Sequence, residues 1–439
     1  MDCCNKTNKT IKMILRVLPS ILFIFSYLIS QTRYLDEIFN EVTITEDVVY
    51  GNAPDLPFIF LFEWNTYDID LDMDVYEPTG DTLTNRPVII FIHSGAFFSG
   101  HNEADDVVGL SIASAKRGYV AVSMNYRLGL NILSSYSGER AVYRGVQDAS
   151  AAVRYLREFH QDYGIDYENI FVWGTSAGSF IGLHLAFTED DERPESTFGG
   201  GGDPDLGCID CEGNDYAHDS KPKAVISCWG AIGDLDWIDQ ENNTPTIMFH
   251  GTLDPVVPFS SGYPFTIDIA LPFVYGSNLI HERLNELDIV NALYAEEGQP
   301  HEYWGTLNGY WFGGPNEYFD QIQSNAFLFL YDQLYGVDVP IEHEVIPASF
   351  TLYQNYPNPF NIITRISYEL PEQTHVTIMI YDILGRTVRQ LINNTQEAGY
   401  KSVIWNAINN YGKPVSAGLY LYTIQAGDFH QNKKMILLK

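Results

Sequence analysis

Basic side chains are scarce in this sequence. Its 439 residues include 25 lysines and arginines against 57 aspartates and glutamates, which gives a formal net charge of −32 at pH 7. A surface of this kind repels phosphate backbones and anionic lipid headgroups. The composition therefore argues against nucleic acid or a membrane surface as a binding partner.

Long apolar runs are also few, and the clearest lies near the N-terminus. Basic residues within 6–16 lead into an apolar run over 17–29, which is the pattern of a secretory signal peptide. We predict a signal peptide over residues 1–30, with a retained membrane anchor as the alternative. Pro19 and the shortness of the run disfavour the anchor, because a spanning helix needs about 20 apolar residues.

Cysteine is rare, with 5 residues in the chain. Cys3 and Cys4 lie in the predicted signal peptide, which leaves Cys208, Cys211 and Cys228. A lone C-x-x-C pair is weak evidence for zinc, and export favours disulfide chemistry. We expect a Cys208–Cys211 disulfide, an inert buried Cys228, and neither a metal nor a cofactor.

Strand-like and helix-like segments alternate from about residue 67 to 335. Continuous apolar runs at 87–92, 119–124 and 170–173 are typical of strands buried on both faces of a parallel sheet. Residues 68–75 alternate polar and apolar side chains, which predicts a strand with one solvent-exposed face. Further strands are expected at 224–228, 246–249 and 290–294, and helices at 140–163, 176–187 and 318–334. The alternation predicts a doubly wound, mainly parallel α/β sheet.

The character of the sequence changes at three places. An irregular, glycine-rich and acidic insertion covers about 189–223. A long loop within a compact domain is usually a lid or substrate loop, and a passive surface loop is the alternative here. Residues 341–348 have a linker-like composition, and an aromatic-rich β pattern over 349–439 predicts a small all-β, sandwich-like domain. We therefore assign 31–340 to the α/β domain.

Residues Gly174–Gly178 have the pattern Gly-x-Ser-x-Gly between a predicted strand and a predicted helix. A serine on such a tight turn is exposed as a nucleophile, and the flanking glycines leave room for neighbouring backbone. Its hydroxyl needs a base to remove the proton. Among the histidines that follow Ser176, His301 is the one in a loop after the last predicted strand of this domain. We predict Ser176 as the nucleophile and His301 as the base.

The acid of such a constellation should follow a strand between these two residues. Asp254 lies in the loop after the strand at 246–249 and is our first choice. Asp234 and Asp236, which follow the preceding strand, are the alternatives. His250 is expected to support the Asp254 loop by packing or hydrogen bonding.

Backbone N–H groups that stabilise a developing oxyanion are the remaining requirement. Gly95 and Ala96 follow the strand at 87–92, and Ala177 follows the nucleophile, so we expect these three residues to form the oxyanion hole. Together with Ser176, His301 and Asp254 they would support acyl transfer through a covalent acyl-enzyme.

These motifs make the chain resemble the carboxylesterase and hormone-sensitive-lipase-like branch of the α/β-hydrolase fold. The resemblance rests on His93–Ala96, Asn125–Gly129, Gly174–Gly178, His250–Asp254 and His301. Ser94 stands where that family usually has glycine. The resemblance implies hydrolysis of carboxylic esters, and by analogy acetyl or feruloyl esters of polysaccharides.

Residues 349–439 resemble the C-terminal sorting domain of type IX secretion cargo in Gram-negative bacteria. The motifs that carry this resemblance are Tyr356–Asn361, Tyr381–Gly385, Gly418–Tyr420 and Lys433–Met435. It implies export through the periplasm to the cell surface or the medium, with the type IX machinery as partner. Such domains are removed on export.

Two other functions remain as alternatives. A serine peptidase of the prolyl-oligopeptidase type would use the same residues, although that family usually carries a propeller domain before the hydrolase. A catalytically inert surface binding module on a hydrolase scaffold would be expected to lack the serine or the histidine, and both are present.

Overall fold

The computed structural model describes residues 31–57, 63–131, 134, 136–266, 271–336, 349–355 and 358–438. The predicted signal peptide (1–30) and the predicted linker (341–348) lie outside the described residues, and their boundaries stay predictions. In the described part of the chain, no helix has the length and the hydropathy that a membrane span requires.

A mainly parallel sheet of eight strands forms the centre of the first domain. Its strands are β1 (Val42–Asp55), β2 (Tyr67–Pro78), β3 (Arg86–Ile92), β4 (Val120–Met124), β5 (Ile165–Thr175), β6 (Ala224–Cys228), β7 (Thr246–Gly251) and β8 (Asn291–Glu296). Their order across the sheet is β1-β2-β4-β3-β5-β6-β7-β8. Strands β3 to β8 run parallel, and β2 is antiparallel to both of its neighbours. The predicted doubly wound α/β sheet is confirmed.

Helices cover both faces of this sheet. They are α1 (Asp105–Lys116), α2 (Ser137–Glu158), α3 (Ala177–Phe187), α4 (Ser277–Glu286) and α5 (Glu317–Tyr335). Alternate residues of β3 point to opposite faces: Ile89 and Phe91 join the core beneath α1 and α5, whereas Val88 and Ile90 join the core beneath α2 and α3. Helix α4 packs on the same face as α3. Both faces of the parallel strands are therefore buried, which explains their continuous apolar sequences.

Strand β2 differs from its predicted pattern of one solvent-exposed face. Asp68 and Asp70 are exposed as expected, but Asp74 is only 4% exposed. Its carboxylate accepts a hydrogen bond from the Asp47 N–H at 3.0 Å. The alternation was misleading because β2 lies between β1 and β4, so its second half is covered and its polar groups are used internally.

The insertion over 189–223 contains three short 3₁₀ segments, at Asp190–Glu192, Glu195–Phe198 and Ile209–Cys211. Helix α2 holds it through buried side chains that donate to its carbonyl groups. Arg140 donates to Ser196 O and Pro204 O, both at 2.7 Å, and Gln147 donates to Leu206 O at 2.6 Å. The insertion is therefore fixed along α2 by hydrogen bonds that its irregular sequence did not indicate.

The C-terminal domain is a small antiparallel β structure, and the predicted all-β domain is confirmed. Its strands are β9 (Thr351–Leu352), β10 (Thr364–Leu370), β11 (Thr374–Asp382), β12 (Thr387–Gln396), β13 (Gly399–Trp405), β14 (Gly418–Ala426) and β15 (Phe429–Leu437). They form two sheets, ordered β9-β10-β13 and β12-β11-β14-β15, around one hydrophobic core. Arg365 on β10 forms an ion pair with Glu282 on α4 at 3.3 Å, so this domain contacts the first one.

Shorter elements complete the connections between these strands and helices. They are the two- and three-residue strands Ala231–Ile232, Ser261–Gly262, Val274–Gly276, Thr306–Leu307 and Tyr310–Trp311, and a 3₁₀ turn at Pro264–Thr266. Helix α5 begins after Asn316, whose side chain accepts from the Tyr318 N–H, and ends at Gly336 in the left-handed conformation. These are the usual signals for the start and end of a helix.

A buried ion pair ties α2 to the segment after β4. Arg127 and Asp148 approach to 2.7 Å with side chains 2% and 0% exposed. We predict that Asp148→Ala lowers the free energy of unfolding by about 3–5 kcal/mol, because it leaves a buried guanidinium without a counter-charge. Urea denaturation measures this.

Glu37→Ala is the matched control, since Glu37 pairs with Lys116 and Arg117 while its own side chain is 46% exposed. Exposed ion pairs contribute about 1 kcal/mol or less. Equal losses of stability in the two variants would contradict the role given to Asp148.

Candidate active site

The predicted site residues follow the ends of neighbouring parallel strands. Ser176 follows β5, Asp254 follows β7, His301 follows β8, and the segment from His93 follows β3. Because parallel strands end at the same edge of a sheet, the loops at their carboxyl ends meet there. The structure brings all of these residues to that edge.

Ser176 occupies a strained turn. Its φ and ψ are 52° and −114°, a conformation that L-residues rarely adopt. A Cβ on Gly174 would lie 2.2 Å from Gly178 O, and a Cβ on Gly178 would lie 2.0 Å from Ile92 O. Only glycine fits at both positions. The Ser176 N–H donates to Cys228 O at 3.0 Å, which ties the turn to the neighbouring strand β6.

His301 joins the serine to an aspartate. Its Nε2 lies 2.8 Å from Ser176 Oγ, and its Nδ1 lies 2.6 Å from Asp254 Oδ2. The Nδ1–H donates to the carboxylate, which leaves the lone pair of Nε2 facing the serine hydroxyl. This arrangement can remove the hydroxyl proton as the oxygen attacks.

The side chain of Asp254 is fully buried and has four hydrogen-bonding partners. Its Oδ1 accepts from the N–H groups of Val256 and Val257 at 2.7 and 2.9 Å. Its Oδ2 faces His301 and, at 3.3 Å, His250 Nε2. Burial alone would raise the pKa of Asp254, but the hydrogen bonds from His250 and His301 outweigh it and hold this pKa well below its usual range. The carboxylate therefore stays ionised and fixes the orientation of His301.

His250 is completely buried between this aspartate and the loop that carries it. Its Nε2 lies 3.1 Å from Val257 O, and its Nδ1 lies 2.8 Å from Ser277 Oγ. The sequence indicated support for the loop, and the structure adds direct contact with the carboxylate. The alternative acids Asp234 and Asp236 are exposed, and within the described residues no hydrogen bond or ion pair joins either to His301.

The loop after β3 presents backbone N–H groups beside the serine. Gly95 has φ 125° and Ala96 has φ 55°, and a Cβ on Gly95 would lie 1.9 Å from Ser99 O. The N–H groups of Gly129 and Leu130 both donate to Phe97 O, which fixes the loop. Among the described residues, none accepts a hydrogen bond from the N–H of Gly95, Ala96 or Ala177. These donors are thus available to a ligand.

His93 supports the same loop from beneath. Its ring stacks on Tyr126, with centroids 4.3 Å apart, and its Nδ1–H donates to Ser94 O at 2.7 Å. Burial lowers the pKa of His93 to about 4, so the ring is neutral near neutral pH. The motif Asn125–Gly129 thereby acquires a structural role, because Tyr126 OH also donates to His93 O at 3.2 Å.

A small apolar cleft of about 60 Å³ opens at Ser176. Its lining includes Ala96, Phe97, Leu130, Val142, Ser176, Ala177, Phe180, Val256, Val257, Leu271 and Val274. Apart from Ser176, Ala96 and Ala177, sequence reasoning missed these lining residues, because each one carries the same local signal as an ordinary core residue. Their role follows from where they lie in the fold.

Two further features concern the cysteines and metals. Cys208 and Cys211 are joined by a disulfide in the insertion, and Cys228 is free and buried in β6. Trp173 Nε1 donates to Cys228 Sγ at 3.3 Å. Burial raises the pKa of this thiol, which keeps it protonated. Over the described ranges, no three or more His, Cys, Asp and Glu side chains are grouped so as to hold a metal ion.

Comparison with known proteins gives two family matches. Residues 73–240 match the BD-FAE family, and residues 354–438 match the family described as secretion system C-terminal sorting domain. Among curated proteins, the chain is 36% identical to para-nitrobenzyl esterase of Bacillus subtilis (strain 168) over 112 residues, which is 25% of this chain and 22% of that protein. It is 32% identical to juvenile hormone esterase of Tribolium castaneum over 117 residues, 26% of this chain and 20% of that protein. The chain thus spans about a fifth of the length of these relatives.

A similar solved structure is esterase 2 of Thermogutta terrifontis phosphorylated by paraoxon. The identity is 23% and the TM-score 0.44, with 68% of this chain and 95% of that chain covered.

The fold, the strand-end site and these matches define the class: an esterase-type α/β hydrolase followed by a secretion sorting domain. More particularly, residues 73–240 are similar to the BD-FAE family and residues 354–438 to the sorting-domain family. Both resemblances inferred from the sequence are confirmed. The sorting domain directs the chain through type IX secretion to the cell surface or the medium of a Gram-negative bacterium.

The close approach of Gly178 to Ile92 yields a prediction. Gly178→Ala should fail to fold or lose more than about 3 kcal/mol of stability, because the added Cβ would overlap backbone that cannot move without displacing β3. Gly109→Ala on α1 is the control: its Cβ would meet the Phe319 ring at an ordinary 3.4 Å, and alanine favours helix by about 1 kcal/mol. Thermal unfolding of both variants measures the difference. A Gly178→Ala protein as stable as the wild type would contradict the geometry of this turn.

Proposed function

We propose that this chain is a carboxylic-ester hydrolase in which Ser176 is the nucleophile, His301 the general base and Asp254 the acid that orients His301. The observation that carries the proposal is the continuous pair of hydrogen bonds from Ser176 Oγ through His301 to Asp254, at 2.8 and 2.6 Å. It is supported by the strained turn at Ser176 and by the free N–H groups of Gly95, Ala96 and Ala177, which we propose as the oxyanion hole.

In the first half of the reaction, Ser176 Oγ attacks the ester carbonyl carbon while His301 Nε2 takes the hydroxyl proton. The carbonyl π electrons move to the oxygen, and the three N–H groups would donate to this oxyanion. As the tetrahedral intermediate collapses, the bond to the alkoxy oxygen breaks. His301 gives its proton to that oxygen, and the alcohol leaves an acyl group on Ser176.

In the second half, a water molecule takes the place of the alcohol. His301 removes its proton as the water oxygen attacks the acyl carbon, and the second intermediate expels Ser176 Oγ. The proton returns to the serine from His301, and the carboxylic acid is released. Asp254 stays ionised throughout, because its hydrogen bonds hold its pKa low, and it stabilises the imidazolium in both halves.

For the substrate we propose acetyl or feruloyl esters of polysaccharides. Two observations support an extracellular polymer: the match to a secretion sorting domain, and the cavity beside the site that the insertion helps to line. The names of the matched relatives describe esterases, which supports ester over peptide bonds as the group attacked.

Substitution of the proposed triad tests the mechanism. Ser176→Ala should fold normally and lower kcat by about 10⁴–10⁶, with a residual rate from the oxyanion hole and binding. His301→Ala should be nearly as severe, and the double variant little worse, because the two groups act as a unit. Asp254→Asn should lose about 10²–10⁴. The rate of p-nitrophenyl acetate hydrolysis measures these effects, and circular dichroism spectra check that each variant is folded.

Asp234→Asn and Asp236→Asn are the matched controls, since both aspartates follow β6 and neither contacts His301 among the described residues. A Ser176→Ala protein with more than a tenth of the wild-type rate would refute the nucleophile. If Asp234→Asn or Asp236→Asn lost activity while Asp254→Asn kept it, the substituted control residue would be the acid instead of Asp254.

We also propose that residues 31–340 form the catalytic domain and that 349–439 serve sorting alone. None of the proposed triad or oxyanion residues comes from the C-terminal domain, and the Arg365–Glu282 ion pair joins β10 to α4, which carries none of these residues. Deletion of residues 346–439 should therefore leave kcat/KM within about twofold, because it removes no transition-state contact. In the native host the truncated protein should remain in the periplasm.

Esterase activity of both proteins in the periplasm, on the cell surface and in the medium checks this prediction. A truncated protein that folds but is inactive would mean that the β domain shapes the site. A truncated protein that still reaches the medium would mean that the sorting role lies elsewhere.

A further inference from the structure

Two cavities of very different size adjoin at the proposed nucleophile. The cleft at Ser176 measures about 60 Å³, which is well below the roughly 300–1,000 Å³ of ordinary ligand pockets. A cavity of about 710 Å³ lies beside it, between α2, α3 and the insertion. Four residues line both spaces: Val142, Phe180, Pro272 and Val274. They form the wall that separates the cleft from the larger cavity.

The small cleft is on the acyl side of the site. Its lining includes Ser176 and two of the proposed oxyanion donors, Ala96 and Ala177, but not His301. The departing alcohol must lie against His301, because that residue gives it a proton. The tetrahedral carbon also carries Ser176 Oγ and the oxyanion, so its fourth substituent is the chain of the acyl group. This chain therefore points away from His301 and into the cleft.

Phe180 stands between the two spaces. On one side its ring packs edge-on against Phe97, with centroids 6.4 Å apart, and Phe97 lines the cleft but not the larger cavity. On the other side the Phe180 ring stacks on the His184 ring, with centroids 6.3 Å apart, and His184 lines the larger cavity but not the cleft. The Phe180 side chain is buried, at 7% exposed, and His184 in turn packs against Trp237 at 5.4 Å.

His184 fixes the ring of Phe180 from the cavity side. Its Nδ1 is 2.6 Å from Phe180 O, and its Nε2 accepts from the Gly233 N–H at 3.3 Å. Burial lowers the pKa of His184 to about 4, so both hydrogen bonds are those of a neutral ring. Because packing holds Phe180 on both sides, the ring cannot swing into the larger cavity without displacing His184.

We propose that Phe180, together with Val142, closes the acyl cleft against the larger cavity and thereby restricts the substrate to short acyl groups. The inference rests on the proposed ester hydrolysis and narrows it: acetyl fits the cleft, whereas a feruloyl or long aliphatic acyl group would need the space behind the wall. Phe180 is thus a specificity-determining residue with no part in the proton transfers.

The test is the dependence of kcat/KM on acyl length in the full chain, with p-nitrophenyl acetate, butyrate and octanoate as substrates. The wild type should prefer acetate. Phe180→Ala should raise the octanoate-to-acetate ratio about tenfold or more, since each methylene that finds a hydrophobic site changes discrimination by about that factor. Val142→Ala should shift the ratio in the same direction by less.

Tyr136→Ala is the matched control, because Tyr136 lines the larger cavity but not the cleft and is 63% exposed. It should leave the ratio within about twofold of the wild type. Phe180→Leu serves as a second variant at the wall, since it keeps more of the buried volume than alanine and guards against loss of folding.

The outcomes separate this inference from the proposed function. An unchanged ratio in wall variants that still hydrolyse acetate would overturn the inference and leave ester hydrolysis intact. A wild type that hydrolyses octanoate as well as acetate, or a Tyr136→Ala protein whose ratio shifts as far as that of Phe180→Ala, would also overturn it. Absence of acetate hydrolysis in the wild type, or its persistence in Ser176→Ala, would instead refute the proposed function.

Discussion

The site depends on one close backbone approach, that of the turn after β5 to the end of β3. A Cβ on Gly178 would lie 2.0 Å from Ile92 O, and a Cβ on Gly174 would lie 2.2 Å from Gly178 O. This contact places the start of α3 directly beside the loop that leaves β3. Ala177 and the loop that carries Gly95 and Ala96 thus lie at the same edge of the sheet as Ser176, and we propose their N–H groups as the oxyanion hole. Since the sheet fixes these groups before any substrate arrives, no reorganisation is needed to receive a developing charge.

Buried hydrogen bonds extend this fixed geometry to the other loops. Asp254 accepts from two backbone N–H groups of its own loop and from two histidines, so that its charge is fully satisfied in a buried position. On the opposite side, Phe97 O receives the N–H groups of Gly129 and Leu130, which holds the loop after β3. Buried polar groups are stable only when they are satisfied in this way. The same contacts that stabilise the loops thus orient His301 and the N–H donors.

The parts of this architecture that depend on local sequence could be predicted. Continuous apolar runs identified the parallel strands, and the Gly-x-Ser-x-Gly pattern identified the turn at Ser176, because both features reflect constraints within a few residues. Asp74 was misjudged, since its burial is decided by the neighbouring strands β1 and β4. The wall residues Phe180 and Val142 could not be recognised at all: a cleft arises only when helices α2 and α3 pack together. The hydrogen bonds from Arg140 and Gln147 to the insertion are equally long-range, so its irregular sequence gave no sign of them.

The central claim is that the strand-end geometry makes Ser176 a nucleophile, and covalent labelling measures this directly. A fluorophosphonate reacts with a serine whose hydroxyl is activated by a neighbouring base, and mass spectrometry of the digested protein locates the adduct. The account predicts one adduct per chain on the peptide that contains Ser176, and its loss in His301→Ala because the base is gone. An adduct on another serine, or no adduct in a folded protein that still hydrolyses esters, would contradict it.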